Sequence, residues 1–182
     1  MTELETLERA FDHTAAIIDA IDPDQLGGPT PCAGWDVRAL LEHTIASVTI
    51  IGAGMRGNEA GGPPLADDPA RQFRAAADAA LAAWHDPGAL DRVVDVGPGP
   101  MPGRKVAAFT VMEVATHAWD IARATGQEPA LADDMAELAL AVAHQIVRPE
   151  RRPGMFAEEV RLTGDSTATE RLVAFLGRDP GA

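Results

Sequence analysis

The sequence predicts an all-α fold, a helical bundle with additional short helices and an irregular C-terminal arm. Apolar residues recur at helical spacing in separate segments, and clusters of glycine and proline divide those segments. Only a short piece around residues 92–96 has the composition of a strand. We expect a single domain over residues 1–182, with the bundle in residues 1–150 and the arm with a short helix in residues 151–182.

The first two helices have clear start signals. Thr2 and Glu5 form a capping box, and an apolar stripe follows it. The stripe consists of Leu4, Leu7, Phe11, Ala15, Ile18 and Ile21. A second helix is expected after Asp36, a good N-cap residue, and runs through VRALLEHTIASVTIIGAGM at residues 37–55, after which its glycines and the GGPPLADDP run break it.

Three further main helices and one short helix follow. The main helices are predicted at about Pro69 to Trp84, Arg104 to Thr125 and Asp133 to Arg148. Residues 85–104 are rich in turn signals. A capping box at Thr167 and Glu170 predicts the short last helix, which should end at Gly177.

Composition excludes several classes of function. With 15 basic and 28 acidic residues the formal net charge is −13, so neither nucleic acid nor an anionic membrane surface is an expected partner. The N-terminal segment lacks the basic and apolar parts of a secretory signal, and no apolar run has the length of a membrane span. Cys32 is the single cysteine, which excludes an internal disulfide. These features predict a soluble, cytoplasmic protein.

Helical phase separates three of the five histidines from the apolar faces. His13 and His144 lie opposite the stripes of the first and fifth helices, so both are expected to be solvated. His85 follows the third helix, where an imidazole complements the helix dipole. We therefore predict no ligand role for these three residues.

Glu113 and His117 differ because both fall on the inward face of the fourth helix. A buried carboxylate needs a partner, since an isolated charge in an apolar interior is costly. Side chains at positions i and i+4 can converge on one ion, and His43, at the edge of the inner face of the second helix, supplies a third ligand. Such a set suits Zn²⁺, with Fe²⁺, Ni²⁺ and Mn²⁺ as alternatives. A buried Glu-His-His hydrogen-bond network without metal explains the same pattern.

Asp120, Cys32 and Trp35 are open to more than one interpretation. Asp120 can accept a hydrogen bond that fixes an imidazole tautomer, or it can pair on the surface with Arg123 or Arg104. Cys32 is expected to be a small packing residue, with a fourth ligand or a nucleophile as the alternatives. Trp35 is expected to wedge between helices, and a substrate-stacking wall is the alternative.

The motifs TPCAGWDVRALLEH at residues 30–43 and EVATHAWDIARATG at residues 113–126 resemble the DinB-like metal-binding superfamily. The branch most similar to them comprises the actinobacterial relatives of mycothiol-dependent maleylpyruvate isomerase, and RLVAFLGRDP at residues 171–180 resembles the end of an uncharacterised group there. The resemblance implies a four-helix bundle in which His43, Glu113 and His117 bind a divalent metal, usually zinc.

The resemblance also implies that the metal activates a low-molecular-weight thiol such as mycothiol. The isomerase has an added C-terminal domain, whereas only about thirty residues follow the bundle here, which argues against maleylpyruvate as the substrate. We therefore expect a mycothiol-dependent transferase or isomerase acting on an electrophile that the sequence does not identify, as a monomer or homodimer. The alternative is a non-catalytic metal-binding or regulatory scaffold. Arg104, Trp119 and Trp35 are the candidate substrate contacts, and no catalytic residue is assigned.

Overall fold

The computed structural model describes residues 2–97, 99–152 and 154–181, which form six α-helices and one two-stranded hairpin. The helices are α1 Glu3–Asp19, α2 Val37–Met55, α3 Pro69–Trp84, α4 Gly103–Thr125, α5 Asp133–Ile146 and α6 Ala168–Phe175. Short 3-10 turns lie at Pro23–Gln25 and Pro149–Arg151. Strands β1 Val93–Val94 and β2 Met101–Pro102 pair antiparallel. The prediction of an all-α class is confirmed.

Helices α1 to α4 form the bundle, and α4 is its most enclosed member. Both α1 and α2 contact α3 and α4, α5 packs against α4, and α6 packs against α5. Every residue from Val114 to Ala122 is consequently buried, as in a helix covered on all sides. In the described part of the chain, no helix combines the length and apolar character needed to span a bilayer.

The helix ends follow the local sequence signals. Thr2 and Glu5 form the predicted capping box of α1. The Asp36 carboxylate accepts the Ala39 N–H at 2.8 Å and begins α2, the helix that carries His43. Gly126, with φ of 72°, ends α4 in the left-handed conformation that glycine adopts without strain. The α2 and α4 signals thus fix the two helices that hold the candidate ligands.

The predicted extent of α2 is confirmed, and two other predicted helix ends were wrong. Helix α2 runs from Val37 through Gly52 to Met55, as predicted. A Cβ at Gly52 would lie 2.9 Å from the Ala80 Cα, so this glycine allows α2 and α3 to approach closely. Helix α1 ends before Ile21, which lies in the following loop, and α5 ends at Ile146 rather than Arg148.

The start of α4 is tightly enclosed. The indole N–H of Trp84 donates to the Gly103 carbonyl oxygen at 3.1 Å. A Cβ at Gly103 would overlap the Ala89 carbonyl oxygen and would lie 2.9 Å from the Met55 methyl carbon. Only glycine fits this position, so Gly103 helps to set where α4 begins.

Replacing Gly103 by alanine should therefore destabilise the fold. The added methyl group meets the Ala89 backbone, and overpacking of this kind costs about 1–3 kcal/mol. Gly61→Ala is the matched control, because a Cβ at Gly61 has nothing within 4 Å. Urea unfolding should show the loss for Gly103→Ala and a change within about 0.5 kcal/mol for the control. Equal stability of the two variants would contradict this view of α4.

Candidate metal centre

His43, Glu113 and His117 meet between α2 and α4. The Glu113 Oε1 atom lies 2.8 Å from His43 Nε2 and 3.5 Å from His117 Nε2. One nitrogen or oxygen atom from each residue lies within 4.8 Å of those of the other two. The two imidazole rings are roughly perpendicular, with centroids 5.0 Å apart. The three residues that the sequence singled out therefore form one cluster.

Ser47 is a member of this cluster that the sequence analysis missed. Its hydroxyl donates to Glu113 Oε1 at 3.1 Å and lies 3.5 Å from His43 Nε2. Ser47 follows His43 by four residues, so both side chains leave the same face of α2. That spacing is the signal that could have identified it.

The cluster is most exposed on the His43 side. Side-chain exposure is 11% for His117, 17% for Glu113 and 36% for His43. Trp35 is 37% exposed, and its ring centroid lies 4.7 Å from that of His43. The prediction that Trp35 wedges between helices was wrong, because hydrogen bonds from Thr30 to the Trp35 carbonyl close a tight loop that holds the indole at the surface.

Asp120 lies behind His117 and is fully buried. Its Oδ2 atom is 3.1 Å from His117 Nδ1, so the Nδ1–H group donates to the carboxylate and Nε2 is directed towards Glu113. The interpretation of Asp120 as the acceptor that orients the imidazole is therefore supported. The alternative of a surface pair was wrong, since Arg104 pairs with Asp91 and Arg123 lies over the Trp119 ring.

Arg178 is the second residue that the sequence analysis missed. From the segment after α6, it donates from Nη2 to Asp120 Oδ2 at 2.8 Å and from Nε to Oδ1 at 3.1 Å. The helical periodicity of the sequence did not predict this contact, because Arg178 lies after the last described helix. The buried carboxylate at Asp120 was the only signal that a cation had to come from elsewhere in the chain.

Cys32 packs against the core, as predicted, and also has polar neighbours. Its thiol donates to Asp120 Oδ2 at 3.1 Å and receives a hydrogen bond from Arg178 Nη2 at 3.1 Å. The sulfur is 4.0 Å from His117 Nδ1, the ring nitrogen that does not face Glu113. The possible ligand atoms of Cys32, His117 and Asp120 also lie within 4.8 Å of one another, but the guanidinium charge beside both Sγ and the carboxylate opposes a metal cation there.

The ionisable groups of the cluster stabilise one another's charged forms. Burial would raise the pKa of Glu113, but the charge and hydrogen bonds of His117, together with the hydrogen bond from His43, lower it well below its usual range. Burial opposes protonation of His117, yet the Glu113 charge and the hydrogen bonds to Asp120 and Cys32 raise its pKa. His117 and Arg178 likewise outweigh burial and lower the pKa of Asp120. In the metal-free protein, Glu113 and His117 are an ion pair.

The remaining histidines and proposed substrate contacts lie elsewhere. His85 is exposed and lies 3.3 Å from Glu8, and His144 is exposed beside the Phe175 ring. The prediction that His13 is solvated was wrong, because it is half-buried and burial lowers its pKa. Trp119 is buried, and Arg104 lies at the start of α4, about 13 Å along the helix from Glu113. Of the three predicted contacts, Trp35 alone lies beside the cluster.

Comparisons with known proteins agree with this architecture. Residues 7–122 match the sequence model of the mycothiol maleylpyruvate isomerase N-terminal domain. The chain belongs to this family. It is 37% identical over 189 aligned residues to an uncharacterised protein in each of two Mycobacterium tuberculosis strains, CDC 1551 / Oshkosh and ATCC 25618 / H37Rv. Each alignment covers 98% of both chains.

The fold is similar to crystal structures of mycothiol-dependent maleylpyruvate isomerase. The TM-score is 0.60 for that enzyme, at 17% identity, and 0.60 for a variant with one histidine replaced by alanine, at 16% identity. Each alignment covers 77% of this chain and 65% of the isomerase chain. The resemblance to this group of proteins and the all-α DinB-like fold are therefore confirmed.

The raised pKa of His117 predicts a pH dependence for the stability of the metal-free protein. Because the pKa in the folded state exceeds the ordinary value of 6.5, the stabilisation is complete below that pH and is lost as pH rises through the folded value. Glu113 and Asp120 stay ionised in this window, since their pKa values are lowered from 4.5 and 3.8.

With chelator present, His117→Gln should therefore lower the melting temperature more at about pH 5.5 than at about pH 9. The exposed His85→Gln is the control for replacing an imidazole in general. A His117→Gln loss that is the same at both pH values would contradict the ion pair.

Proposed function

We propose that the protein binds one divalent metal ion, Zn²⁺ in the first place, through His43, Glu113 and His117. The observation that carries this proposal is the convergence of their ligand atoms within 4.8 Å of one another. Two nitrogen ligands on one tetrahedral zinc lie about 3.3 Å apart, so small side-chain rotations suffice. Ni²⁺, Fe²⁺ and Mn²⁺ accept the same donor types. The donor set fits a metal.

Each residue of the cluster has a distinct part in holding the ion. His117 offers Nε2 once the ion displaces the proton on that nitrogen, while Nδ1–H continues to donate to Asp120, an arrangement that raises the basicity of the ligand nitrogen. Glu113 offers a carboxylate oxygen whose pKa is already low, so no proton has to leave it. Ser47 donates to that carboxylate and limits its rotation. His43 completes the set from the exposed side.

We further propose that the protein uses a low-molecular-weight thiol, mycothiol, in a transfer or isomerisation reaction. Support comes from family membership and from the similar fold of the mycothiol-dependent isomerase. A bound divalent cation lowers the pKa of a coordinated thiol, so that the nucleophile is available near neutral pH. We propose that the reaction takes place in the cytoplasm, where such thiols are kept reduced.

An open groove of about 610 Å³ leads to His43, the most accessible member of the cluster. Its lining consists of Trp35, Ala39, Glu42, His43, Ala46, Gly62, Pro63 and Pro64. The indole offers a flat surface for an apolar substrate, and the Glu42 carboxylate repels a dicarboxylate. We therefore propose an uncharged electrophile rather than maleylpyruvate as the substrate.

Metal binding can be tested by titrating zinc against a chromophoric chelator and by elemental analysis. Wild type should bind one zinc ion per chain. His43→Ala, Glu113→Gln and His117→Ala should each weaken binding by more than about 10- to 100-fold, the loss typical when a hydrogen-bond partner of a ligand is replaced, because each removes a direct ligand. His85→Ala is the control, since it removes an exposed imidazole outside the cluster. Stoichiometric zinc retained by His117→Ala would contradict the ligand set.

Catalysis can be tested by supplying mycothiol and a panel of electrophiles to the zinc-loaded protein. Turnover should require both zinc and thiol, should favour uncharged electrophiles and should be abolished in Glu113→Ala. Trp35→Ala should raise the KM for the electrophile while zinc stoichiometry stays unchanged, because the indole lines the groove and is not a ligand. Tight zinc and thiol binding with no turnover on the whole panel would favour the non-catalytic scaffold.

A further inference from the structure

We propose that Arg178 is a positioning residue of the metal centre, acting through Asp120 on the imidazole of His117. The inference rests on the proposed metal-binding function. It concerns the C-terminal segment, which contributes none of the three ligands. The residues involved form a chain of contacts from the turn after α6 to the Nδ1 atom of His117.

The contact between Arg178 and Asp120 engages both carboxylate oxygens. Nε donates to Oδ1 at 3.1 Å and Nη2 donates to Oδ2 at 2.8 Å, a fork that fixes the plane of the carboxylate. The same Oδ2 atom lies 3.1 Å from His117 Nδ1. Orientation of the guanidinium therefore determines where the acceptor for the imidazole N–H lies.

The surroundings make this chain of contacts rigid. The Asp120 side chain is fully buried, and that of Arg178 is nearly so. Nη1 of Arg178 also donates to the Leu176 carbonyl oxygen at 3.1 Å, and Nη2 donates to the Cys32 sulfur at 3.1 Å. Water has little access to compete for the carboxylate, so its orientation depends on these protein donors.

The backbone that carries Arg178 is anchored as firmly as its side chain. The Arg178 N–H donates to the Val173 carbonyl oxygen at 2.9 Å. Gly177 has φ of 85°, and a Cβ there would lie 2.7 Å from that of Ala157. The left-handed turn after α6 thus directs the chain back towards α4, and a residue other than glycine would be strained at this position.

Arg178 lies outside residues 7–122, the part of the chain that matches the family model. The three ligands and Asp120 all lie inside that part. The C-terminal segment therefore adds a support to a centre whose ligands come from the shared domain. Packing of the C-terminal segment against Asp120 and the correct orientation of the His117 ring therefore depend on each other.

The test is a double-mutant cycle on zinc affinity. Arg178→Met should weaken zinc binding about 10-fold or more, the range typical of outer-shell partners. Asp120→Asn should weaken it similarly, and Arg178→Met should cause no further loss in the Asp120→Asn background, because Arg178 acts only through that carboxylate. Arg178→Lys, which keeps the charge but lacks the fork, should give an intermediate affinity if Arg178→Met fails to fold.

The control is Arg171→Met, which removes an α6 arginine bound to Ser166 and Glu137, away from Asp120. Its zinc affinity should equal that of wild type even if its melting temperature falls. Equal losses from Arg178→Met in both backgrounds, or wild-type affinity in Arg178→Met and Arg178→Lys, would overturn this inference alone. Failure of wild type to bind zinc would overturn the proposed metal centre and this inference with it.

Discussion

Glu113 brings a carboxylate into the interface between α2 and α4, where burial by itself would keep it protonated. His43, Ser47 and His117 all direct polar atoms at one oxygen of this carboxylate. The bundle accommodates the charge because two helices place their donors around the same point. The site depends on this compensation, and the same donor atoms are those that a divalent cation can take over.

A second polar layer lies on the other side of the His117 ring. Asp120 accepts from Nδ1–H, and Arg178 and Cys32 surround the carboxylate. The imidazole is thus held between two carboxylates, one of which faces the proposed ion while the other is neutralised by a guanidinium. Because the two carboxylates differ in this way, Nε2 is the nitrogen that faces the proposed ion and Nδ1 is the nitrogen that donates to Asp120. It also explains how α4 can bury two acidic residues within a stretch that is otherwise apolar.

The sequence predicted the helices and the three clustered residues because both leave periodic signals. The Asp36 cap and the apolar stripes located α2 and α3 at their observed bounds, and the i, i+4 spacing identified Glu113 and His117. Helical phase alone did not predict which residues of α4 are buried, however. It assigned one inward face to a helix that α5 covers on the other side, so a surface partner was considered for the buried Asp120.

Contacts between distant parts of the chain could not be predicted in this way. Arg178 reaches Asp120 across 58 residues, and no spacing rule connects a turn after α6 to the middle of α4. Trp35 was misplaced because hydrogen bonds from Thr30 to its backbone carbonyl close the loop before α2, and in this loop the indole lies at the surface. In each case tertiary packing overrode a local preference.

The most direct measurement of the central claim is a crystal structure of zinc-soaked protein with anomalous diffraction recorded at the zinc edge. We predict one ion bound by His43, Glu113 and the Nε2 atom of His117, with Nδ1 still donating to Asp120. An ion on the Cys32 side of the ring, or no ion under saturating zinc with the Glu113–His117 pair intact, would contradict it.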